Sequence, residues 1–351
     1  MAGGRSRAGS SRPPAARQTT YGVVVRTVYL GTTDFAATVL HRLARSEHHP
    51  QLVVTRPDRP RGRGRRLQSP PVADAARELG VEVDQPESVN AEDARARITA
   101  ADPEAVCICA YGALIREPLL SHHEMYNVHP SLLPRWRGAA PIERAIEAGD
   151  AQTGVSIMRP IAELDAGPVY TARATPIRVD DDYGSLAGRL AALAGDLLVG
   201  ALTARAEPRE QREEGVTYAE KIDREERRLD PRRSPAALAR TVRALTPHVG
   251  VYVQTGEGEP LGVRRAAPAC EGSGGRLDGV DVRARSVSPP PGDLSAIDGR
   301  LLYGAAGGSL ELLEVQPAGG RPMAAPDYLR GKAVSLTGKA VSLTGKEARG
   351  G

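Results

Sequence analysis

The run Asn127-Val128-His129-Pro130-Ser131-Leu132-Leu133-Pro134 sets an amide and an imidazole two positions apart. Side chains alternate along a β-strand, so at a strand end Asn127 and His129 leave the same face. An amide donor beside an imidazole suits a developing tetrahedral oxyanion, which needs donors fixed before the charge appears. Asparagine is rare in this chain, Asn127 and Asn90 being the two present. Further on, Glu163-Leu164-Asp165-Ala166-Gly167 offers a carboxylate in an acidic loop. Brought near His129, Asp165 would orient the ring and stabilise its charged form. Plainer readings exist for both. An Asn-x-His pair can simply satisfy local backbone groups, and an Asp before Ala-Gly is ordinarily a turn residue.

The elements that must position these residues follow a strand-and-helix rhythm. An apolar, β-branched run from Val23 to Leu30 ends at Gly31, and Thr32, Thr33 and Asp34 offer an N-cap to a helix reaching about Ser46. Strands are expected at 51–55, 81–84, 105–110, 125–129, 154–158 and 169–177. Helices are expected at 71–79, 91–100, 140–148 and 183 to about 204. Strands separated by helical stretches imply a Rossmann-like α/β domain, a parallel sheet covered on both faces, over residues 23–206. Ligands of such sheets sit beyond the carboxyl ends of the strands, which is where Asn127 and His129 fall. Residues 207–235 read as a charged linker. A helix at 235–245 and Gly-rich short strands then imply a small antiparallel, OB-like barrel over 236–330. Residues 268–298, with three consecutive prolines, read as a flexible insertion. Residues 1–22 and 331–351 read as disordered ends, the latter holding a direct repeat, 332–338 and 339–345.

The chain has 351 residues, a 40% hydrophobic content and three cysteines. That length suits two domains. Three cysteines make no disulfide framework, and Cys107, Cys109 and Cys270 have no zinc spacing, so no metal is expected. No stretch matches the roughly 20 uninterrupted apolar residues of a membrane span, and no signal-peptide core is present. A reducing, soluble compartment is therefore expected, the bacterial cytoplasm, with no membrane partner and a monomeric state. Arginine outnumbers lysine 43 to four, which we read as the codon pressure of a GC-rich genome. The net charge of +4 is unevenly spread. Residues 1–26 hold five arginines and no acid, and 56–66 hold six arginines against Asp58. The rest carries 36 basic and 42 acidic groups, a net of −6. A mobile basic loop on an acidic body can track phosphates, although charge runs also serve solubility alone.

Taken together, Asn127-Val128-His129, Ser131-Leu132-Leu133-Pro134 and Asp165 resemble the active site of folate-dependent formyltransferases, most closely those acting on methionyl-tRNA. Further matching motifs are Gly31-Thr32-Thr33-Asp34-Phe35, the Arg56–Gly64 loop, Ala110-Tyr111-Gly112, Trp136-Arg137-Gly138-Ala139-Ala140-Pro141-Ile142 and Thr217-Tyr218-Ala219-Glu220-Lys221. They span about residues 26–330. The resemblance implies transfer of a formyl group from 10-formyltetrahydrofolate to the α-amine of initiator methionyl-tRNA. It implies Asn127, His129 and Asp165 as catalytic residues and Ser131, Leu132, Leu133, Pro134, Tyr111 and Gly112 around the folate. Arg63 is the leading tRNA contact, with Arg59, Arg61, Arg65, Arg66 and Lys221 behind it.

The chain departs from the family's usual start near residues 25–26. Residues 236–330 balance ten arginines against ten acids, whereas the family's second domain is usually basic. Other readings remain open: a formyltransferase for a small amine, such as an amino sugar, or an RNA-binding protein that no longer catalyses. A dehydrogenase is disfavoured, because Gly31-Thr32-Thr33-Asp34-Phe35 lacks the Gly-x-Gly-x-x-Gly cradle for a pyrophosphate. Removing residues 1–24 is expected to leave tRNA affinity and its salt dependence unchanged. A lower affinity in a filter-binding titration would give the basic extension a role.

Overall fold

An apolar run buried at all five positions makes β1 (Thr27–Gly31). Thr33 then caps α1 (Asp34–Ala44), its Oγ1 accepting from the Ala36 amide at 3.3 Å. Ala36, Val39, Leu40 and Leu43 form that helix's buried stripe, at the spacing of one helical face. The computed structural model describes residues 24–61, 64, 66–256, 258–269, 288–331 and 341–342. The expected disordered extension, 1–22, lies outside them.

In chain order come β2 (Pro50–Val54), β3 (Arg59–Arg61), β4 (Arg66–Gln68), α2 (Pro71–Glu78), β5 (Glu82–Asp84) and α3 (Glu92–Ala100). After them come β6 (Ala105–Cys109), α4 (Leu119–His122), β7 (Met125–His129), β8 (Arg137–Gly138), α5 (Pro141–Ala148), β9 (Gln152–Met158), β10 (Val169–Pro176) and α6 (Tyr183–Ala204). Seven strands form one sheet in the order β10-β9-β7-β6-β1-β2-β5. Its pairs are parallel from β5 across to β7, making a Rossmann-like core. Strand order reverses direction at β1, with β2 on one side and β6 on the other, so a crevice opens between their carboxyl ends.

The sheet differs from a wholly parallel one at its β9–β10 edge. There β9 runs antiparallel to β7, and β10 antiparallel to β9. The segment joining β9 to β10 contains no helix. It is shorter than the dozen or so residues a parallel crossover needs, so the chain must turn straight back. That turn carries Asp165.

By length and composition α6 could cross a bilayer. Here it is a core helix: Leu186, Leu190, Leu198 and Leu202 are fully buried against the sheet side of the domain. Its N-terminal end is specified locally. Asp182 and Ser185 form a reciprocal capping box, and Arg189 reaches back to Asp181 at 2.7 Å.

The second half begins with β11 (Tyr218–Ala219), a 3-10 turn at Glu225–Arg227 and α7 (Pro235–Leu245). It continues with β12 (Val251–Gln254), β13 (Pro260–Pro268), β14 (Leu294–Ile297), β15 (Arg300–Ala305), β16 (Gly308–Gln316), β17 (Met323–Ala324), α8 (Ala325–Gly331) and β18 (Val341–Ser342). These strands form an antiparallel sheet in the order β12-β13-β16-β15-β14-β18, with β17 on β16. Among the described residues no pairing joins the two ends of that path. The ends of the proposed insertion belong to this sheet. Pro268 closes β13, and Leu294, Ser295 and Ala296 are buried in β14, while 270–287 lie outside the described residues. Four small or apolar residues beside a proline run carry too little periodicity to announce a strand. Likewise β18, in the second repeat of the tail, pairs with β14. The remaining tail after Gly331 lies outside the described residues.

Candidate active site

The site grows from the carboxyl end of β7. This strand is parallel to β6 on one side and antiparallel to β9 on the other, which pairs Asn127 with Met158 and His129 with Ser156. Its period of two sends both side chains to one face. That face looks into a cavity of about 650 Å³, lined by Asn127, His129 and Asp165 together with residues after β1 and β6.

Asn127 is half-buried, and its Nδ2 donates to Met158 Sδ at 3.5 Å. A thioether is a weak acceptor, so most of this amide's donor capacity is unspent. His129 is 4% exposed. Its Nε2 lies 2.8 Å from the Trp136 carbonyl oxygen. A carbonyl only accepts, so Nε2 carries the hydrogen, and Nδ1 is the ring nitrogen turned toward Asp165. Nδ1 stands 3.6 Å from Asp165 Oδ2, close enough for charge to matter but longer than a hydrogen bond. The same Oδ2 accepts from the Gly138 amide at 2.9 Å.

Two backbone features make this convergence possible. Asp165 sits at φ +51°, a left-handed conformation costing an L-residue roughly 1–2 kcal/mol, which Asp tolerates better than most. Gly138 has φ +118°, and a Cβ there would fall 2.7 Å from the Ala219 carbonyl oxygen. Only glycine lets β8 lie against β11 while presenting its amide to Asp165.

Tyr111 and Gly112 also line the cavity. Tyr111 is 2% exposed, and its buried hydroxyl has no partner among the described residues. Burial pushes its pKa up, so it stays a neutral donor. Thr32 Oγ1 donates to the Tyr111 carbonyl at 2.8 Å, tying the turn after β1 to the chain after β6. Ser131 to Pro134 stand elsewhere. Ser131 is fully buried and its hydroxyl donates to the Arg135 carbonyl at 2.6 Å; Leu132 faces a smaller cavity beside Trp136 and Asp150. None of the four is among the residues lining the main cavity.

The basic loop is a hairpin. Its strands β3 and β4 pair Arg59 with Gln68 and Arg61 with Arg66. Its base is pinned by Asp58, which accepts from Gln85 at 2.8 Å and from Ser69 at 3.2 Å. Arg59 and Arg66 are exposed and make no ion pair among the described residues. Arg63, Arg65 and the side chain of Arg61 lie outside the described residues. Lys221 is exposed just past β11, the strand that runs beside Gly138.

Residues missed by motif reading hold the Asp165 turn in place. Arg137 is 9% exposed and grips Gln211 Oε1 through Nε and Nη2 at 3.0 and 2.9 Å. Gln211 Nε2 donates to the carbonyls of Asp165 and Gly167, both at 2.7 Å. Arg137 belongs to the Trp136–Ile142 motif, but Gln211 lies in a charged, exposed stretch with nothing to mark it. Burial pushes the Cys109 thiol up to about 12 and Cys107 further, so both remain neutral packing residues. Among the described residues, no three His, Cys, Asp or Glu side chains are grouped so as to hold a metal ion.

The formyl transferase family model matches residues 25–202, and the formyl transferase C-terminal domain model matches 221–333. The methionyl-tRNA formyltransferase of Halorhodospira halophila is 43% identical over 320 residues, covering 88% of this chain and 97% of that protein. That of Methylococcus capsulatus is 40% identical over 317 residues, covering 89% and 98%. Among solved structures, HypX from Aquifex aeolicus in complex with tetrahydrofolic acid superposes with a TM-score of 0.60. At 17% identity it covers 90% of this chain and 49% of that one, a likeness of fold. A sugar 3N-formyl transferase, WlaRD, solved in the presence of dTDP and 5-N-formyl-THF, superposes at 0.56 with 11% identity, covering 83% and 97%. With both halves matched in order and the relatives aligned nearly end to end, the chain belongs to the formyl transferase family, in the group of the methionyl-tRNA formyltransferases.

Proposed function

We propose that this enzyme transfers the formyl group of 10-formyltetrahydrofolate to the α-amino group of initiator methionyl-tRNA, as needed to begin translation. The observation that carries this reading is the meeting of Asn127, His129 and Asp165 at one cavity, in a chain of which the methionyl-tRNA formyltransferase of Halorhodospira halophila covers 88%. The amine attacks the formyl carbon and a C–N bond forms, leaving the formyl oxygen as an oxyanion. Asn127 Nδ2 and protonated His129 stabilise that charge. Asp165 holds His129 charged and helps the attacking nitrogen lose its proton, through water. The intermediate collapses as the bond to folate N10 breaks. N10 takes a proton, giving tetrahydrofolate and formyl-methionyl-tRNA.

Tyr111 and Gly112, which line the cavity, contact the folate in this reading, and Ser131 to Pro134 are kept as folate-binding residues on the strength of the family resemblance alone. The Arg59–Arg66 hairpin and Lys221 meet the acceptor end of the tRNA, with Arg63 foremost. The enzyme acts as a cytoplasmic monomer. Residues 23–206 carry out the transfer, 207–235 link, and 236–330 contact RNA. Register shifts between β13 and β16 support reading the second sheet as coiled into an OB-like barrel. Its balanced charge leaves the hairpin as the main electrostatic handle.

A direct competition tests the acceptor. Purified enzyme receives labelled 10-formyltetrahydrofolate, charged initiator tRNA and a free amino sugar together. Label is expected on the tRNA. Label on the sugar alone would replace this acceptor with a small amine.

A further inference from the structure

We propose that Gln211 is a positioning residue that sets the carboxylate of Asp165 for formyl transfer, an inference that rests on the catalytic role given to Asp165. Gln211 reaches the site from the segment after α6. That segment is stitched to the start of β10 by reciprocal backbone bonds between Arg209 and Val169, at 2.7 and 2.9 Å. Its neighbours are exposed, whereas Gln211 turns inward and is half-buried.

The amide makes four hydrogen bonds, two at each end. Nε2 donates to the Asp165 and Gly167 carbonyls, and Oε1 accepts from two nitrogens of the Arg137 guanidinium. Carbonyls only accept and a guanidinium only donates, so the amide has one workable orientation. Arg137 is itself fixed by its place in β8, one residue before the glycine whose amide holds Asp165 Oδ2. One side chain therefore grips the backbone of Asp165 from behind while Gly138 grips its carboxylate from in front. The gripped residue is itself held in a left-handed conformation. Loss of the rear clamp lets the turn relax, carrying Oδ2 away from His129 Nδ1. A misplacement of about 1 Å at a reacting centre can cost about 100-fold in rate.

Gln211→Glu keeps the shape and the contact with Arg137 but replaces both donors with a carboxylate oxygen facing two carbonyls. Gln211→Met keeps the length without any hydrogen bond, and serves if the glutamate variant fails to fold. For either, kcat is expected to fall about 10- to 100-fold with little change in KM for folate or tRNA. In an Asp165→Asn background, the same substitution is expected to cost nothing further, because its effect runs through the carboxylate. Wild-type kcat, a loss confined to KM, or an equal fractional loss in both backgrounds would each overturn the proposal. Near-normal turnover by Asp165→Asn alone would instead remove the role of Asp165, a separate result.

Discussion

Replacing Asn127 with alanine is expected to lower kcat by about 100- to 1000-fold, the usual cost of deleting one oxyanion donor. The amide sits on β7 between two paired strands, so its direction is set by the sheet and not by a loop. In the folded protein it spends one hydrogen on a sulfur at 3.5 Å, a bond worth little. A donor held in place and left nearly unused is what transition-state stabilisation asks for: its strong partner exists only while the oxyanion does. For the same reason the substitution should leave the fold intact. Asn127 is half-buried, and the weak contact with Met158 on β9 is its side chain's one hydrogen bond among the described residues. Thermal melting is expected to change by only a few degrees, in keeping with a loss of about 1 kcal/mol or less. Single-turnover rates at saturating folate and tRNA provide the measurement. Turnover within a few-fold of the parent would take Asn127 out of the chemistry.

The second large effect belongs to the basic hairpin. Changing Arg61, Arg63, Arg65 and Arg66 together to alanine is expected to weaken tRNA binding strongly while leaving folate binding alone. Each phosphate contact contributes about 0.7 to 0.9 to the slope of log affinity against log salt, so four lost contacts should flatten that slope by roughly 3. The hairpin suits the task because its base is fixed while arginines on its strands stay open to solvent. Asp58, Gln85, Ser69 and Arg77 lock the base through side-chain hydrogen bonds, while Arg59 and Arg66 remain exposed and unpaired among the described residues. On an otherwise acidic chain this is the main concentration of positive charge within the matched region. The measurements are tRNA titrations at several salt concentrations and folate binding by fluorescence. An unchanged slope would move the acceptor stem elsewhere. A loss of folate affinity would mean the hairpin supports the cavity as well.

Much of the local structure was legible in advance. The cap at Thr33, the buried stripe of α1 and the strand at β7 follow from periodicity and capping chemistry, which act over a few residues. The same reasoning failed where the outcome depends on partners far along the chain. The sequence between β9 and β10 reads as one more strand connection, and only its lack of a helix hints at the antiparallel edge. β14 was hidden because a four-residue strand gains its stability from pairing with β15 rather than from its own pattern.

The active site divides along the same line. Strand alternation alone places Asn127 and His129 on one face, because their spacing is shorter than any fold-level choice. That Asp165 lies 3.6 Å from His129 Nδ1 was a matter for tertiary structure, since a return from β9 to β10 decides where that turn lands. Gln211 marks the far limit. A glutamine among charged residues has no local preference that announces a role, and its four hydrogen bonds exist only once β8, β10 and the segment after α6 have met. Which residue types could do the chemistry was settled by the chain of amino acids. Which of them stand within reach of one another was settled by the sheet, because hydrogen-bond geometry is met in space and not along the sequence.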